Sequence, residues 1–105
     1  MTDDNKGQKQ DAGKPQLSLL PYAPLCAVAE VLAYGCEKYS KDNWQHVPEG
    51  RQRYIDALLR HAHAYAYAYA DGETHDDESG LHHLAHAACN ALFVIWFDTR
   101  GARCK

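Results

Sequence analysis

Residues 53–70 read RYIDALLRHAHAYAYAYA, and the choice of period here decides the fold. The second half alternates strictly, which alone is the period-two pattern of a strand. The first half reverses that reading. Alanine is the best helix former, and at 100° per residue Tyr54, Leu58, His61, Tyr65 and Tyr69 fall on one stripe. Asp56 and Arg60 also stand at the i, i+4 spacing of a helical ion pair. The pattern predicts a helix over about 51–70.

Upstream, SKDNWQHVPEG (40–50) is a loop by its Asn, Pro and Gly content. Trp44 within it must pack back on the core or line a ligand site. A helix over about 24–39 is expected, with Pro24 in its first turn, where a missing N–H costs nothing. Its expected core face is Leu25, Val28, Ala29, Leu32 and Cys36, and Glu30, Tyr34 and Glu37 lie together elsewhere. Residues 1–16 are polar, carry Gly7, Gly13 and Pro15, and form a flexible arm that cannot fold alone.

Downstream, ADGETHDDESG (70–80) is an acidic loop, and Ser79 is the expected N-cap of a third helix running to about Asp98. On that helix Leu81, Leu84, Ala85, Ala88, Leu92, Ile95 and Trp96 make a broad apolar face. His82, His83, His86 and Asn90 form a second arc that continues as Phe93, Val94 and Phe97. A helix apolar nearly all round is buried on most sides, so the polar arc is expected to point inward or into a subunit interface. The expected fold is all-α: a small bundle of three main helices over 17–98, with an extended N-terminal arm and a C-terminal tail over 99–105.

A chain of 105 residues buries only roughly 60 to 70% of its unfolded surface, which favours a homo-oligomer. The net charge of −3 and the absence of a Lys/Arg cluster argue against a nucleic-acid polymer as partner. Cys26, Cys36, Cys89 and Cys104 lack CxxC spacing and read as reduced thiols, mostly in the core. No apolar run approaches the roughly 20 residues of a membrane span, and no signal core opens the chain, so a soluble, cytoplasmic protein without a membrane partner is expected.

His83 and His86 stand at i, i+3 with Asn90 a turn further on, beside Glu73, Asp76, Asp77 and Glu78 of the acidic loop. Imidazole mixed with carboxylate suits Zn, Mn, Fe or Ni, and carboxylate with water suits Mg or Mn. As a pair beside that loop, His83 and His86 read as ligands; His61 alone reads more readily as a hydrogen-bonded core histidine. His46, His63, His75 and His82 read as surface or packing residues. His61 followed by His75-Asp76 superficially matches an HD-type phosphohydrolase, for which Asp98 is the sole late aspartate.

KPQLSLLP (14–21), YGCEKYSKDNW (34–44), YIDALLRH (54–61) and GETHDDESGLHHLAHAACNALF (72–93) together resemble the phage and bacterial family of dATP/dGTP diphosphohydrolase N-terminal domains. The resemblance covers about 14–97. It implies an all-α nucleotide pyrophosphohydrolase in the style of MazG-type enzymes, which cut a deoxynucleoside triphosphate to monophosphate and pyrophosphate. Carried over by position, the residues of interest are Lys14, Lys38, Tyr39, Trp44, Arg60, His61, Glu73, Asp76, Glu78, His83, His86 and Asn90. One departure bears on catalysis. Where MazG-type enzymes carry ExxE and ExxD, the middle helix here has Arg60 and His61 and the last has HLAH, so the carboxylates lie mainly in the loop.

Three readings follow. In the enzyme reading Asp76 and Glu78 are catalytic, and with His61, His83 and His86 they hold one or two divalent ions, Mg²⁺ or Mn²⁺. Lys14, Lys38 and Arg60 then contact phosphates, Trp44 or Tyr39 stacks on a purine base, and Asn90 completes the substrate site. In the binding reading the same pocket sequesters a nucleotide, for example a signalling nucleotide of host defence, without cutting it. In the structural reading the histidines satisfy one another.

Overall fold

The computed structural model describes residues 7–68 and 74–99. Three helices dominate: α1 (Tyr22–Lys38), α2 (Gly50–Ala68) and α3 (His83–Thr99), with 3-10 turns at Leu17–Leu19 and Asn43–His46. The ambiguous stretch is helical through Ala68; Tyr69 and Ala70 lie outside the described residues. Arm residues 7–16 are all exposed.

Helix α3 is the centre of the molecule. Both α1 and α2 pack on it and hardly on each other. Contacts at the ends fix the directions. Arg51 at the start of α2 bonds Asp98 near the end of α3, while His61, further along α2, meets His83 at the start of α3. Tyr34 and Lys38, late in α1, reach Glu78 just before α3. Both flanking helices are therefore antiparallel to α3, and the segment between them must return along the molecule, carrying Trp44 to the far end.

Small side chains make the close approach to α3 possible: Ala85, Ala87 and Cys89 are buried there, and Val31 of α1 packs against Ala85 and Cys89. A second cluster closes the other end, where Trp44 stacks on Phe93 at 4.2 Å and meets Trp96 edge-on at 5.0 Å. Trp44 thus packs back on the core, one of the two roles open to a tryptophan in a polar loop. Gly50 opens α2 beneath this cluster, where an added Cβ would come within 2.9 Å of the Phe97 ring.

Several expectations are corrected. Helix α3 starts at His83 and not beside Ser79; the His82 ring takes the capping role, its Nδ1 accepting the Leu84 N–H at 3.0 Å. Residues 76–80 form a tight turn instead, with Gly80 at φ 74° and its N–H bonded to the Asp76 carbonyl at 2.8 Å. The buried face of α1 centres on Val31, flanked by Ala27, Val28 and Leu32; Leu25, Ala29 and Cys36 are exposed. Asp56 accepts a hydrogen bond from Gln52, and no ion pair joins it to Arg60 among the described residues. Of the thiols, Cys89 is buried, Cys26 half-buried and Cys36 exposed; Cys104 lies outside the described residues. On α3 the arc carrying His83, Asn90, Phe93 and Phe97 turns inward as expected, but Leu84, Ala88, Leu92 and Ile95 of the apolar face are exposed.

Candidate functional site

Because α1 and α2 splay apart on α3, a groove of about 800 Å³ opens between them. That is within the roughly 300–1,000 Å³ of small-molecule sites. Helix α1 contributes Tyr34 and Lys38 to one wall, α2 contributes Arg53, Tyr54, Arg60 and His61 to the other, and α3 floors it with His86, Cys89, Asn90 and Phe93. The returning segment adds Tyr39, Asn43 and Trp44, and the turn before α3 adds Asp76 and Glu78. One end is therefore aromatic and the other is built of imidazole and carboxylate.

At the polar end His61 Nδ1 and His83 Nδ1 lie 3.0 Å apart in a hydrogen bond. A carboxylate oxygen of Asp76 comes within 4.8 Å of a ring nitrogen of each, making a three-residue group able to hold a metal ion. His86 stacks on His61 at 4.4 Å with rings within 9° of parallel, and its Nε2 shares a hydrogen bond with Ser79 Oγ at 2.7 Å. Asn90 is buried and its Nδ2 donates to the His86 carbonyl at 2.8 Å.

The turn fixes Asp76: its Oδ2 accepts the N–H of Glu78 at 3.1 Å and of Ser79 at 2.8 Å. Burial raises the Asp76 carboxyl, but the Ser79 amide and hydroxyl, with His86 and His61 nearby, outweigh it and hold the group below its ordinary value. Burial, reinforced by neighbouring His86 and His83, lowers His61 despite Asp76. Burial also lowers His86, against the pull of Asp76. Both shifts favour the neutral ring, the form that ligates metals.

Glu78 stands apart from this convergence. Its Oε1 is held by Lys38 Nζ and, at 3.0 Å, by the Tyr34 hydroxyl. Those bonds lower its carboxyl, the Lys38 bond most, and Glu78 in turn raises the Lys38 ammonium.

Of the residues singled out from sequence, Lys38, Tyr39, Trp44, Arg60, His61, Asp76, Glu78, His86 and Asn90 line one groove. His83 adjoins it through His61. Lys14 does not line it; it sits in the arm, in a small hollow with Asp11, Gln16 and Leu19. Glu73 lies outside the described residues. Sequence reasoning missed Tyr34 and the hydroxyl of Ser79. Tyr34 shares YGCEK (34–38) with Lys38 at i, i+4, a spacing that could have linked them. The HD-type reading fails on geometry: Asp98 is fifteen residues beyond His83 on one helix, about 22 Å at 1.5 Å per residue, and is paired with Arg51.

A family model described as dATP/dGTP diphosphohydrolase, N-terminal, matches residues 4–105. The chain is 42% identical over 90 residues to a dATP/dGTP diphosphohydrolase of Salmonella phage PMBT28. That match takes in 86% of this chain but only 29% of the phage protein. No solved structure matches significantly.

Proposed function

The chain belongs to the dATP/dGTP diphosphohydrolase N-terminal family, and from that premise we propose that its groove binds a purine deoxynucleoside triphosphate and hydrolyses it to monophosphate and pyrophosphate. One observation carries the reading: a single groove joins aromatic rings at one end to cations and an imidazole–carboxylate cluster at the other. A nucleotide has the same polarity, a base to stack and phosphates to neutralise.

Lys38 of α1 and Arg60 of α2 both line the groove and grip the triphosphate. Lys14 is the further phosphate partner, from the arm. Tyr39 or Trp44 stacks on the base. Trp44 already rests on Phe93, so the base extends an existing stack. Asn90 orients the substrate from the groove floor. Asp76, kept ionised by its turn, takes the proton of the attacking water at Oδ1, the oxygen that the Glu78 and Ser79 amides leave unused. Glu78 holds Lys38 at the phosphates.

Of the two ions expected, the donors present would suit Mn²⁺, since His61 and His83 offer nitrogen directly and Asp76 would reach the ion through the water whose proton its Oδ1 takes. His86 and Glu78 complete the surroundings. When bound, such an ion polarises phosphoryl oxygens and acidifies water. The exposed Leu84, Ala88, Leu92 and Ile95 stripe fits assembly into a homo-oligomer in the cytoplasm of the cell, the host's for a phage-encoded chain.

A second reading has its own support: Asp56, Asp76 and Glu78 are the carboxylates among the described groove residues, and Glu78 is committed to Lys38. A groove so poor in free carboxylate suits retention of an intact nucleotide. The test is incubation with dATP, dGTP, the ribonucleotides and cyclic nucleotides in Mn²⁺ or Mg²⁺, with chromatography of released and retained species. Hydrolysis requires monophosphate and pyrophosphate from dATP or dGTP, with turnover down about 100-fold or more in Asp76→Asn. Recovery of one nucleotide intact after denaturation establishes retention. Neither product nor retained ligand defeats both readings.

A further inference from the structure

We propose that His61, His83 and Asp76 form a site for one nitrogen-preferring transition ion of the Zn²⁺, Ni²⁺ or Mn²⁺ class, which Mg²⁺ does not occupy. The inference rests on the groove proposed above, whose metal donors are these same three residues, and adds to it the choice of ion.

Two imidazole nitrogens, each about 2.1 Å from one ion, are separated by about 3.0 Å at the roughly 90° of an octahedral site and by about 3.4 Å at the tetrahedral angle. His61 Nδ1 and His83 Nδ1 are 3.0 Å apart. The spacing is thus close to that of two adjacent ligand positions, and an ion on the Asp76 side of the pair would replace one hydrogen bond, the proton shared by the two Nδ1 atoms passing to the Nε2 of the ring that held it or to solvent. Asp76, within 4.8 Å of both rings, supplies the oxygen directly or through one water.

Three separate elements fix these donors. His61 is within α2 and its ring is held flat against His86. His83 is the first residue of α3, only 5% exposed, with its N–H bonded to the Thr74 carbonyl at 2.9 Å. Asp76 is pinned through Oδ2 by two amides of its own turn, which orients the carboxylate as an outer hydrogen-bond shell does in metal sites. Mg²⁺ requires a near-ideal octahedron of oxygens and sheds water reluctantly, and one carboxylate beside two imidazoles does not provide that. Zn²⁺, Ni²⁺ and Mn²⁺ accept the mixed set, with Mn²⁺ the weakest of the three.

The test is calorimetric titration of the chelator-treated full chain with each metal alone and no nucleotide. Expected are one Zn²⁺ per chain, Mn²⁺ weaker, and Mg²⁺ weaker than Zn²⁺ by about 100-fold or more. His61→Gln and His83→Gln should each weaken Zn²⁺ by more than the roughly 10–100-fold typical of losing an outer-shell partner. His63→Ala, exposed and stacked on Tyr67, should leave binding unchanged. Circular dichroism checks each variant, and if His83→Gln loses helix, His61→Gln decides. The proposal is overturned by no Zn²⁺ binding in the wild-type chain, by Mg²⁺ binding as tightly as Zn²⁺, or by wild-type affinity in folded His61→Gln. Loss of nucleotide turnover with metal binding intact counts against the hydrolase reading alone.

Discussion

Cys89 and Cys36 show how position decides the chemistry of one residue type. Burial pushes the Cys89 thiol up to about 12, so almost none is thiolate near neutrality, whereas Cys36 is exposed. Brief iodoacetamide treatment of the native protein should label Cys36 and spare Cys89, as read by peptide mass spectrometry; equal labelling would contradict the packing of α3. The imidazoles give a pH prediction. His61 and His86 are lowered from the ordinary value of 6.5 by burial, so below that pH the unfolded chain binds protons that the folded chain refuses. Stability therefore falls as pH drops below 6.5, and falls further below 3.8, the ordinary value from which Asp76 is lowered. The urea midpoint should be lower at about pH 5 than at about pH 7.5, and an equal or higher midpoint would show that the rings are solvated. The inward arc of His83, His86 and Asn90 was legible in sequence because a helix this apolar has little room for solvent-facing imidazole. The bond from Ser79 to His86 was not legible, since a serine before a helix signals a cap and only the turn at Gly80 redirects its hydroxyl.

At the scale of elements, α2 was recoverable because Tyr54, Leu58, His61 and Tyr65 keep helical period through an alternating stretch, and all four are half-buried. The orientation of α1 was harder to read. Its alanines and leucines permit several faces, and Val31 is buried only because Ala85 and Cys89 of α3 are small enough to admit it. The junction of α2 with α3 has a similar constraint that no single-helix pattern exposes. Gly50 leaves room for Phe97, whose ring is also packed by Tyr54 and Trp96. Gly50→Ala should gain a little from helix propensity but lose about 1–3 kcal/mol to overpacking, a net drop measurable by urea denaturation. Unchanged or increased stability would mean that the Phe97 ring has space to retreat. By contrast, the Arg51–Asp98 pair is about half exposed at both ends and contributes about 1 kcal/mol at most.

For the whole molecule, the exposed surface of α3 is the main unfilled requirement of the fold. Leu84, Leu92 and Ile95 are 40, 51 and 56% exposed on the central helix, and Leu59 of α2 is 58% exposed. Such a stripe on a chain with so few buried side chains is expected to be covered by a second copy. Light scattering should give a multiple of the chain mass, reduced to the monomer by Ile95→Glu; a wild-type monomer at micromolar concentration would refute assembly. No described helix is long and apolar enough to cross a membrane. Sequence showed three helices and an inward polar arc, but not that the two outer helices splay. That depends on both packing against α3 instead of each other, and it is what creates the groove.

Whether the groove cuts a nucleotide is tested most directly by phosphorus NMR of dGTP, and separately dATP, mixed with the protein and Mn²⁺ at a concentration low enough to limit line broadening. The account predicts loss of the three triphosphate resonances and growth of one monophosphate and one pyrophosphate resonance, with no inorganic phosphate. Triphosphate resonances unchanged in position, width and intensity after prolonged incubation would contradict it.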